Sequence, residues 1–537
     1  MKLVSKQDLK NILGQIPLTA EAYWYLHQPG KPLTADFTLD HLEQLIPEWR
    51  AQVESSGYYS SSRTTSGTQE RKRIFIFGTL RYWIEHVTLL GMALAGLGHK
   101  VTLSYLPYAR WQQPIDQFNL RRQNLYAQGV LGKAAPLVQV VSLLSTTKAR
   151  SLPNDLKQAV ELVSLRDTQY TMQVEEVSLD SDLYHLRLER NQTAARAALA
   201  WLRDNKPDVV VLPNGTILEF GVIYQVARYL DIPVVTYEFG EQRNRIWLAQ
   251  NAEVMRQDTN ALWSSRKGEK LNPDQLTQVR KLFAARQRAS LWENFARRWQ
   301  GVPSEGGEPV RLSLGLDKRP IVLLATNVIG DSLTLGRQVF SDSMTEWLER
   351  TVLFFAGRPE VQLVARIHPG ELITKGPSVA DVVQRALPAI PENIHLVPAD
   401  AKVNTYDIVE IANLGLVYTT TVGMEMAMSG VPVIAVGNTH YRNKGFTLDP
   451  ESWEGYFELL YKVMANPRQY RLSQEQVEQA WNYAYRFFFE YPHPFPWHLL
   501  HIWKDLATWP LSRLLSDEGL STFQTTFRYL VGEPVFW

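Results

Sequence analysis

The chain has 537 residues, of which 45% are hydrophobic and 21% charged, and its 56 basic and 55 acidic side chains give a formal net charge of +1. This length exceeds what one hydrophobic core supports, so two or three domains are expected. The balanced charge gives no support for broad nucleic-acid binding. The absence of cysteine excludes disulfides, thiol catalysis and cysteine-based zinc sites.

The first 53 residues are predicted to be a helical N-terminal extension, with helical spacing clearest at residues 39–45. They contain no continuous apolar stretch of the kind found in signal peptides. Residues 87–98, among the longest nearly apolar stretches, are too short to span a bilayer, so a cytoplasmic protein is expected. Residues 54–72 are rich in Ser, Thr and Gly, which predicts a flexible linker.

Residues 73–265 alternate apolar strands with helices, a pattern typical of a parallel sheet covered on both faces. The predicted strands are residues 74–77, 100–105, 138–143, 208–212 and 234–237. The predicted helices are residues 84–98, 192–205 and 218–230. Residues 145–190 do not follow the alternation and are interpreted as an insertion in this N-terminal Rossmann-like domain.

Residues 266–318 are predicted to be a helical connection, dominated by a basic amphipathic helix at residues 275–300. Packing between domains is the preferred role of this helix, and contact with a membrane surface is the alternative. A second Rossmann-like domain is predicted at residues 319–470. Its strands are residues 321–325, 361–367, 394–397, 415–418 and 433–436, and its clearest helix is residues 343–355.

Two such domains predict a cleft between the carboxyl ends of their sheets, where ligands usually bind. Residues 471–537 are rich in aromatic side chains and are predicted to form helices that cross back onto the first domain. Dipping of these aromatic residues into a membrane interface is the alternative interpretation.

Residues 417–447 contain the most informative pattern, a strand, a Thr/Gly turn, a helix and a second buried strand, which together form a βαβ unit. Backbone N–H groups at such a turn can hold a phosphate or diphosphate. The turn residues expected to do so are Thr420, Thr421 and Gly423, with Gly423 allowing close backbone approach. Glu425, in the first turn of the helix, is expected to accept hydrogen bonds from ribose hydroxyls. A purely structural threonine cap is the alternative.

Further polar residues follow the other strands of the second domain. Arg366, His368 and Glu371 end the strand at residues 361–367, where an arginine and a histidine can neutralise a leaving diphosphate. Asn327 and Asp331 follow the strand at residues 321–325, and Lys444 could close over the phosphates. A turn histidine, a salt-bridge arginine and an exposed lysine are the structural alternatives.

The first domain supplies the predicted catalytic residues. His86 and Glu85 lie near the start of its first helix, where a neutral imidazole or a carboxylate could take the proton from an acceptor hydroxyl. Glu238 and Glu241 follow the strand at residues 234–237 and are candidates for acceptor binding or base work. Surface caps are the alternative for Glu85 and His86.

Several motifs are missing. The sequence contains no GxxxxGK[ST], HExxH, GxSxG or GxGxxG motif, and no paired DxD in a supporting context. P-loop, zincin, α/β-hydrolase and NAD chemistry therefore lose support, as does a metal-dependent transferase, and no metal ligands are assigned.

The second domain resembles the capsule polysaccharide biosynthesis proteins, whose members include glycosyltransferases of the GT-B fold such as Kdo transferases. The resemblance covers about residues 320–450, and its clearest motif is Arg366-Ile367-His368-Pro369-Gly370-Glu371. Matching segments also include Ala325-Thr326-Asn327, residues 420–437 with Tyr441, and Gly445-Phe446-Thr447. The first domain matches only loosely, through the region of His86.

This resemblance implies an α/β protein of GT-B fold that transfers a sugar from a nucleotide sugar without a required metal or other cofactor. His368 would face the donor phosphates and Glu425 the nucleotide ribose. The donor would be a CMP- or UDP-sugar, and the acceptor a polysaccharide or a lipid-linked glycan at the inner face of the membrane. The alternatives are a non-hydrolysing UDP-sugar 2-epimerase and a non-catalytic sugar-nucleotide-binding protein.

Overall fold

The computed structural model of the protein describes residues 6–55, 71–240, 242–288 and 302–537. Most of the predicted linker, Glu241 and the second half of the predicted helix at residues 275–300 therefore lie outside the described residues. The chain divides into two units. The first unit comprises Met1–Thr168, Ser178–Met255 and His493–Phe536, and the second comprises Gln169–Val177, Arg256–Pro492 and Trp537.

The strands are β1 (Arg73–Thr79), β2 (Lys100–Leu106), β3 (Val138–Ser142), β4 (Val209–Pro213), β5 (Val234–Phe239), β6 (Arg245–Gln250), β7 (Ile321–Ala325), β8 (Gln362–Arg366), β9 (Ile394–Val397), β10 (Leu414–Val417), β11 (Val433–Ala435) and β12 (His493–Pro494).

The helices are α1 (Lys6–Gln15), α2 (Thr19–His27), α3 (Asp40–Ser55), α4 (Arg81–Gly96), α5 (Gln117–Leu131), α6 (Asn154–Met172), α7 (Asp182–Asn205), α8 (Leu218–Tyr229), α9 (Asn260–Ser265), α10 (Pro273–Gln287), α11 (Gly307–Ser313), α12 (Met344–Ala356), α13 (Val379–Ala386), α14 (Thr405–Ile411), α15 (Val422–Met428), α16 (Trp453–Ala465), α17 (Gln474–Tyr485), α18 (Ile502–Thr508), α19 (Leu511–Leu514) and α20 (Asp517–Leu530).

The sheet of the first unit has the strand order β12-β6-β5-β4-β1-β2-β3. The five predicted strands, β1 to β5, pair in parallel, whereas β6 and β12 add an antiparallel edge that the sequence analysis did not predict. The strand β6 is buried only at alternate positions, and β12 has two residues. Neither gives the continuous apolar stretch that identifies a buried parallel strand.

The helix α4 is buried from Trp83 through Gly96 because it lies directly on β1. Gly78 in β1 permits this approach, since a Cβ atom there would come within 2.6 Å of the Val87 side chain. This close contact holds the start of α4, which carries Glu85 and His86, against the carboxyl end of β1.

The N-terminal extension and the chain end are both part of the first unit's core. In α3, fully buried Trp49 has its ring 5.5 Å from that of Trp497. The predicted insertion at residues 145–190 contains α6, whose Val160 and Val163 join the same core. The structure thus differs from the predicted boundaries: residues 256–265 and 471–492 belong to the second unit, while only the last part of the aromatic-rich segment returns to the first.

The sheet of the second unit is parallel throughout and has the order β11-β10-β7-β8-β9. All five of its strands lie where the Val- and Ile-rich stretches predicted them. The units confirm the predicted fold class, α/β with two Rossmann-like domains, and the cleft between them stays a prediction. Within the described part of the chain, no helix combines the length and the hydropathy needed to cross a membrane.

Candidate functional site

The second unit has a topological switch point between β7 and β10. The chain proceeds from β7 to β8 and β9 on one side and then returns to β10 on the other side of β7. Ligands of open α/β sheets bind at such a point, beyond the carboxyl ends of the strands. Asn327 follows β7, and its Oδ1 accepts a hydrogen bond from the backbone N–H of Thr419, which follows β10, at 3.1 Å. The structure therefore brings together two segments that the sequence marked separately.

The turn between β10 and α15 is held from one side by Tyr441. Its hydroxyl donates to the carbonyl of Thr420 at 2.6 Å. A Cβ atom on Gly423 would collide with this same hydroxyl and lie 2.9 Å from the Val417 side chain. The contact with Tyr441 by itself requires glycine at position 423, and the close approach of a ligand to this backbone stays a prediction.

The N–H groups of this turn are partly used within it. The backbone N–H of Gly423 donates to the carbonyl of Thr420 at 3.2 Å, and the backbone N–H of Val422 donates to the Thr420 hydroxyl at 3.5 Å. Thr421 is the N-cap residue of α15, its side chain makes no capping hydrogen bond, and it is partly exposed. Of the predicted turn residues, Thr421 is therefore the one whose hydroxyl is best placed to meet a ligand.

Glu425 is buried and forms an ion pair with Arg286 at the end of α10, each side chain being 4% exposed. The ion pair engages Oε1, whereas Oε2 has no hydrogen-bond partner among the described residues. Arg286 also lies over the ring of Phe488, 5.0 Å from its centre. The predicted ribose ligand is thus a buried carboxylate with one oxygen neutralised and the other unused.

The sequence analysis assigned no site role to Arg286, although the sequence contains a signal for one. The buried residues Val279, Leu282 and Phe283 form an apolar stripe along α10, and Arg286 continues the stripe three residues later. An arginine on a buried stripe requires an anionic partner. The pattern cannot say which carboxylate that partner is.

The motif at the end of β8 has one partly exposed side chain, His368, and two side chains that hold the surrounding backbone, Arg366 and Glu371. His368 is partly exposed, and its Nδ1 accepts the backbone N–H of Gly370 at 2.9 Å, which leaves the ring proton on Nε2. Arg366 instead donates to the carbonyls of Pro398 and Val403, and burial lowers its pKa to about 10. Both oxygens of Glu371 cap α13, through the Ser378 hydroxyl at 2.6 Å and the Val379 N–H at 3.1 Å.

The loop after β11 concentrates buried positive charge. Lys444, predicted to close over phosphates, donates to the Oδ1 of Asn260, and burial lowers its pKa. His440 in the same loop is stacked on Phe487 with ring centres 3.7 Å apart. Burial, together with the charges of Arg337 and Lys444, holds the pKa of His440 well below its usual range. Asp258 and Asp449 act on Lys444 in the opposite sense, so cations and carboxylates meet at this loop.

In the first unit, the structure places His86 inside the core instead of at an open surface. It is 0% exposed, its Nδ1 lies 3.0 Å from the Tyr237 hydroxyl, and Trp83, Phe239 and Phe495 surround its ring. Burial lowers its pKa to about 3. A buried imidazole with this pKa is a poor proton acceptor at neutral pH, so the structure favours a packing role for His86, and its role as base stays a prediction.

The neighbouring Glu85 is also buried, at 3% exposure, but its pKa is shifted in the other direction. Its carboxylate lies 3.6 Å from the Arg81 guanidinium, and Oε1 has no hydrogen-bond partner among the described residues. Burial raises its pKa to about 7, with Arg81 opposing the shift. A carboxyl group with a pKa near the working pH is suited to general base catalysis.

Glu238 is the penultimate residue of β5, and Asn214, in the turn after the neighbouring strand β4, holds its side chain. Its Oε2 accepts from the Asn214 amide and its Oε1 from the backbone N–H of Phe239, both at 3.0 Å, and burial raises its pKa. Asn214 and Leu80 both have left-handed backbones, with φ of 57° and 62°, at the carboxyl ends of β4 and β1. Such strain in non-glycine residues concentrates at functional sites.

No group of three or more His, Asp or Glu side chains that could hold a metal ion occurs within residues 6–55, 71–240, 242–288 and 302–537. No family model and no curated protein matches the chain. Solved structures do show similarity to it. One is a beta Kdo 2,4 transferase, KpsC of Thermosulfurimonas dismutans, at 16% identity over 54% of this chain and 82% of that chain, with a TM-score of 0.34.

A beta Kdo 2,7 transferase, also KpsC of Thermosulfurimonas dismutans, has 13% identity over 58% of this chain and 89% of that chain, with a TM-score of 0.32. A UDP-GlcNAc 2-epimerase from Neisseria meningitidis, bound to UDP-GlcNAc, has 13% identity over 78% of this chain and 99% of that chain, with a TM-score of 0.25. Similarity at this level carries no argument about activity.

Proposed function

We propose that this chain is a glycosyltransferase that takes a sugar from a nucleotide-sugar donor bound at the switch point of the second unit. The observation that carries the proposal is the hydrogen bond between Asn327 and Thr419. It joins the segments after β7 and β10 at the point where parallel sheets bind nucleotides. Both segments carry residues that the sequence predicts for a nucleotide site.

The residues around this point suit a nucleoside diphosphate or monophosphate sugar. The partly exposed imidazole of His368 and the hydroxyl of Thr421 contact phosphate oxygens, and the side chains of Arg337 and Lys444 balance the phosphate charge. The free Oε2 of Glu425 accepts a ribose hydroxyl. In this proposal the basic side chains, not a metal ion, stabilise the leaving phosphate.

The first unit binds the acceptor. Glu85 takes the proton from an acceptor hydroxyl, the oxygen attacks the anomeric carbon, and the bond from that carbon to the donor phosphate breaks. Glu238 and Asn214 position the acceptor sugar. A CMP- or UDP-sugar as donor, a polysaccharide or lipid-linked glycan as acceptor, and a role in capsule or cell-surface polysaccharide synthesis at the cytoplasmic face of the membrane complete the proposal.

Thermal unfolding of the purified protein with CMP, UDP, GDP, ADP and CDP, with and without Mg²⁺, tests the donor site. A nucleotide at about 100 times its Kd stabilises the fold by about 2.7 kcal/mol. We expect a shift with CMP or UDP that is unchanged by Mg²⁺. No shift with any nucleotide would refute the donor site.

Turnover then separates the proposed activity from its alternatives. A transferase releases nucleotide from the donor only in proportion to the acceptor supplied, whereas a 2-epimerase converts UDP-GlcNAc alone. A nucleotide-dependent shift without either reaction, over a panel of lipid-linked acceptors, would indicate a non-catalytic binding protein.

A further inference from the structure

The first two helices of the chain expose an unusual number of large apolar side chains. Leu18, Tyr25 and Leu26 are 73%, 66% and 78% exposed, and Leu9, Ile12 and Ile16 are about half exposed. All six lie within 18 residues of sequence, on α1, α2 and the turn that joins them. We call these six residues the apolar face of the α1–α2 hairpin.

The hairpin is fixed to the first unit, so that this face is presented by a folded element. The Arg121 guanidinium, on α5, donates to the carbonyls of Gly14 and Ile16 at 3.0 and 2.8 Å and also binds Glu21. Trp24 is buried, with its ring centre 6.3 Å from that of Tyr126.

Gly14 of α1 and the buried Trp24 of α2 face the first unit, whereas the six large apolar side chains of the apolar face are left outside. A Cβ atom on Gly14 would approach the backbone nitrogen of Phe118 to 2.7 Å, so the inner side of α1 has no room for a larger residue. Apolar side chains concentrated on the outer side of a folded element mark an interaction surface.

The charge around the apolar face fits an anionic partner. Lys10 and Lys31 are the lysines of this segment whose side chains the structure describes, and Glu21 is already neutralised by Arg121. Tyr23, also on α2, is stacked on His27 with ring centres 4.4 Å apart and has the Arg122 guanidinium 4.7 Å from its centre. A second copy of the chain would bring like charges together, whereas anionic lipid would neutralise them.

We propose that the apolar face of the α1–α2 hairpin docks on the surface of an anionic lipid bilayer. Its leucine and isoleucine side chains enter the boundary between headgroups and acyl chains, Tyr25 lies at the headgroup level, and the lysines contact lipid phosphates. The proposal does not depend on the function proposed above, because it rests on a different surface and is measured without substrate.

Co-sedimentation with vesicles tests the proposal directly. We expect the full chain to bind vesicles of mixed phosphatidylglycerol and phosphatidylcholine, and to bind pure phosphatidylcholine much less. The double variant Leu18→Glu/Leu26→Glu should reduce the partition coefficient about tenfold or more, because two apolar side chains no longer enter the bilayer. The variant Lys10→Gln/Lys31→Gln should reduce binding to the anionic vesicles about tenfold.

The matched control is Leu312→Glu/Leu372→Glu, which changes two leucines of the second unit that are 79% and 59% exposed. It should bind vesicles as the unchanged chain does, and all variants should keep the same thermal unfolding midpoint. Equal sedimentation of the unchanged chain and the Leu18→Glu/Leu26→Glu variant would overturn the proposal. So would equal binding to neutral and anionic vesicles, or a concentration-dependent dimer in equilibrium ultracentrifugation that the variant abolishes.

Discussion

The ion pair between Arg286 and Glu425 allows the structural and the ligand-binding roles of the predicted ribose carboxylate to be separated. Replacing Arg286 by Met leaves the carboxylate buried without its counter-charge. Each side chain of the pair is 4% exposed, so solvent cannot compensate for the loss. Breaking a pair buried to this degree costs about 3–5 kcal/mol.

Removing both charges should restore most of that stability. The double variant Arg286→Met/Glu425→Leu replaces the pair by apolar groups of similar size, which is commonly neutral or stabilising. At roughly 2–4 °C per kcal/mol for a unit of this size, Arg286→Met should lower the Tm of the second unit by roughly 6–20 °C. The double variant should return close to the original Tm.

Calorimetry of the two single variants and the double variant, as a double-mutant cycle, measures the coupling. An exposed pair of the same unit, Lys462 with Glu458, is the matched control, and Lys462→Met should leave the Tm nearly unchanged because solvent screens this pair. A cost below about 1 kcal/mol for Arg286→Met, or a double variant no more stable than the single ones, would refute the assignment of a buried, mutually dependent pair.

The double variant also tests the ribose role, because it folds but lacks the carboxylate. If Glu425 accepts a ribose hydroxyl, nucleotide affinity falls about tenfold or more although stability is restored. Affinity equal to that of the unchanged chain would show that Glu425 serves the fold alone.

Three further predictions concern single residues. Gly423→Ala should displace Tyr441 and cost about 1–3 kcal/mol of unfolding free energy, measured by urea titration, whereas an unchanged midpoint would contradict the steric argument. The pKa of Glu85 is raised from 4.5 to about 7, so the folded state binds more protons than the unfolded chain in this range and stability falls as the pH rises through it. Glu85→Gln should therefore match the unchanged chain at pH 4 and exceed it at pH 8, by up to about 3 kcal/mol, and should remove a rise in turnover centred near pH 7. His86→Phe should lower the free energy of unfolding by about 1–3 kcal/mol, because the buried Tyr237 hydroxyl loses its hydrogen-bond partner. Turnover per folded molecule should not change. A large loss of kcat in a folded variant would instead identify His86 as the base.

Local pattern was sufficient to predict most of the parallel strands. In the second unit, five Val- and Ile-rich stretches became the five strands β7 to β11, since a strand buried on both faces is apolar at nearly every position. The turn from Thr420 to Gly423 was also predicted from local pattern, because its threonine and glycine residues lie within a few positions of each other in the sequence. The strand β12 was not predicted because two residues are too few to show the alternation of apolar and polar side chains that identifies a strand.

The candidate site required the tertiary structure. Sequence placed His86 and Glu85 side by side at the start of one helix, and only the tertiary structure shows that both are buried. Burial disfavours the charged form of each group, which lowers the pKa of the imidazole to about 3 and raises that of the carboxyl group to about 7. The partner of Glu425 lies 139 residues away in the chain.

The sequence by itself determined the fold class, the order of the strands along the chain and the turns after them. These follow from periodicity and turn chemistry, which act over a few residues. Only the tertiary structure decided which carboxylate is neutralised, why Gly423 is glycine and which histidine is buried. These outcomes depend on contacts between residues distant in sequence and on the loss of solvent around each charge, neither of which a local pattern records.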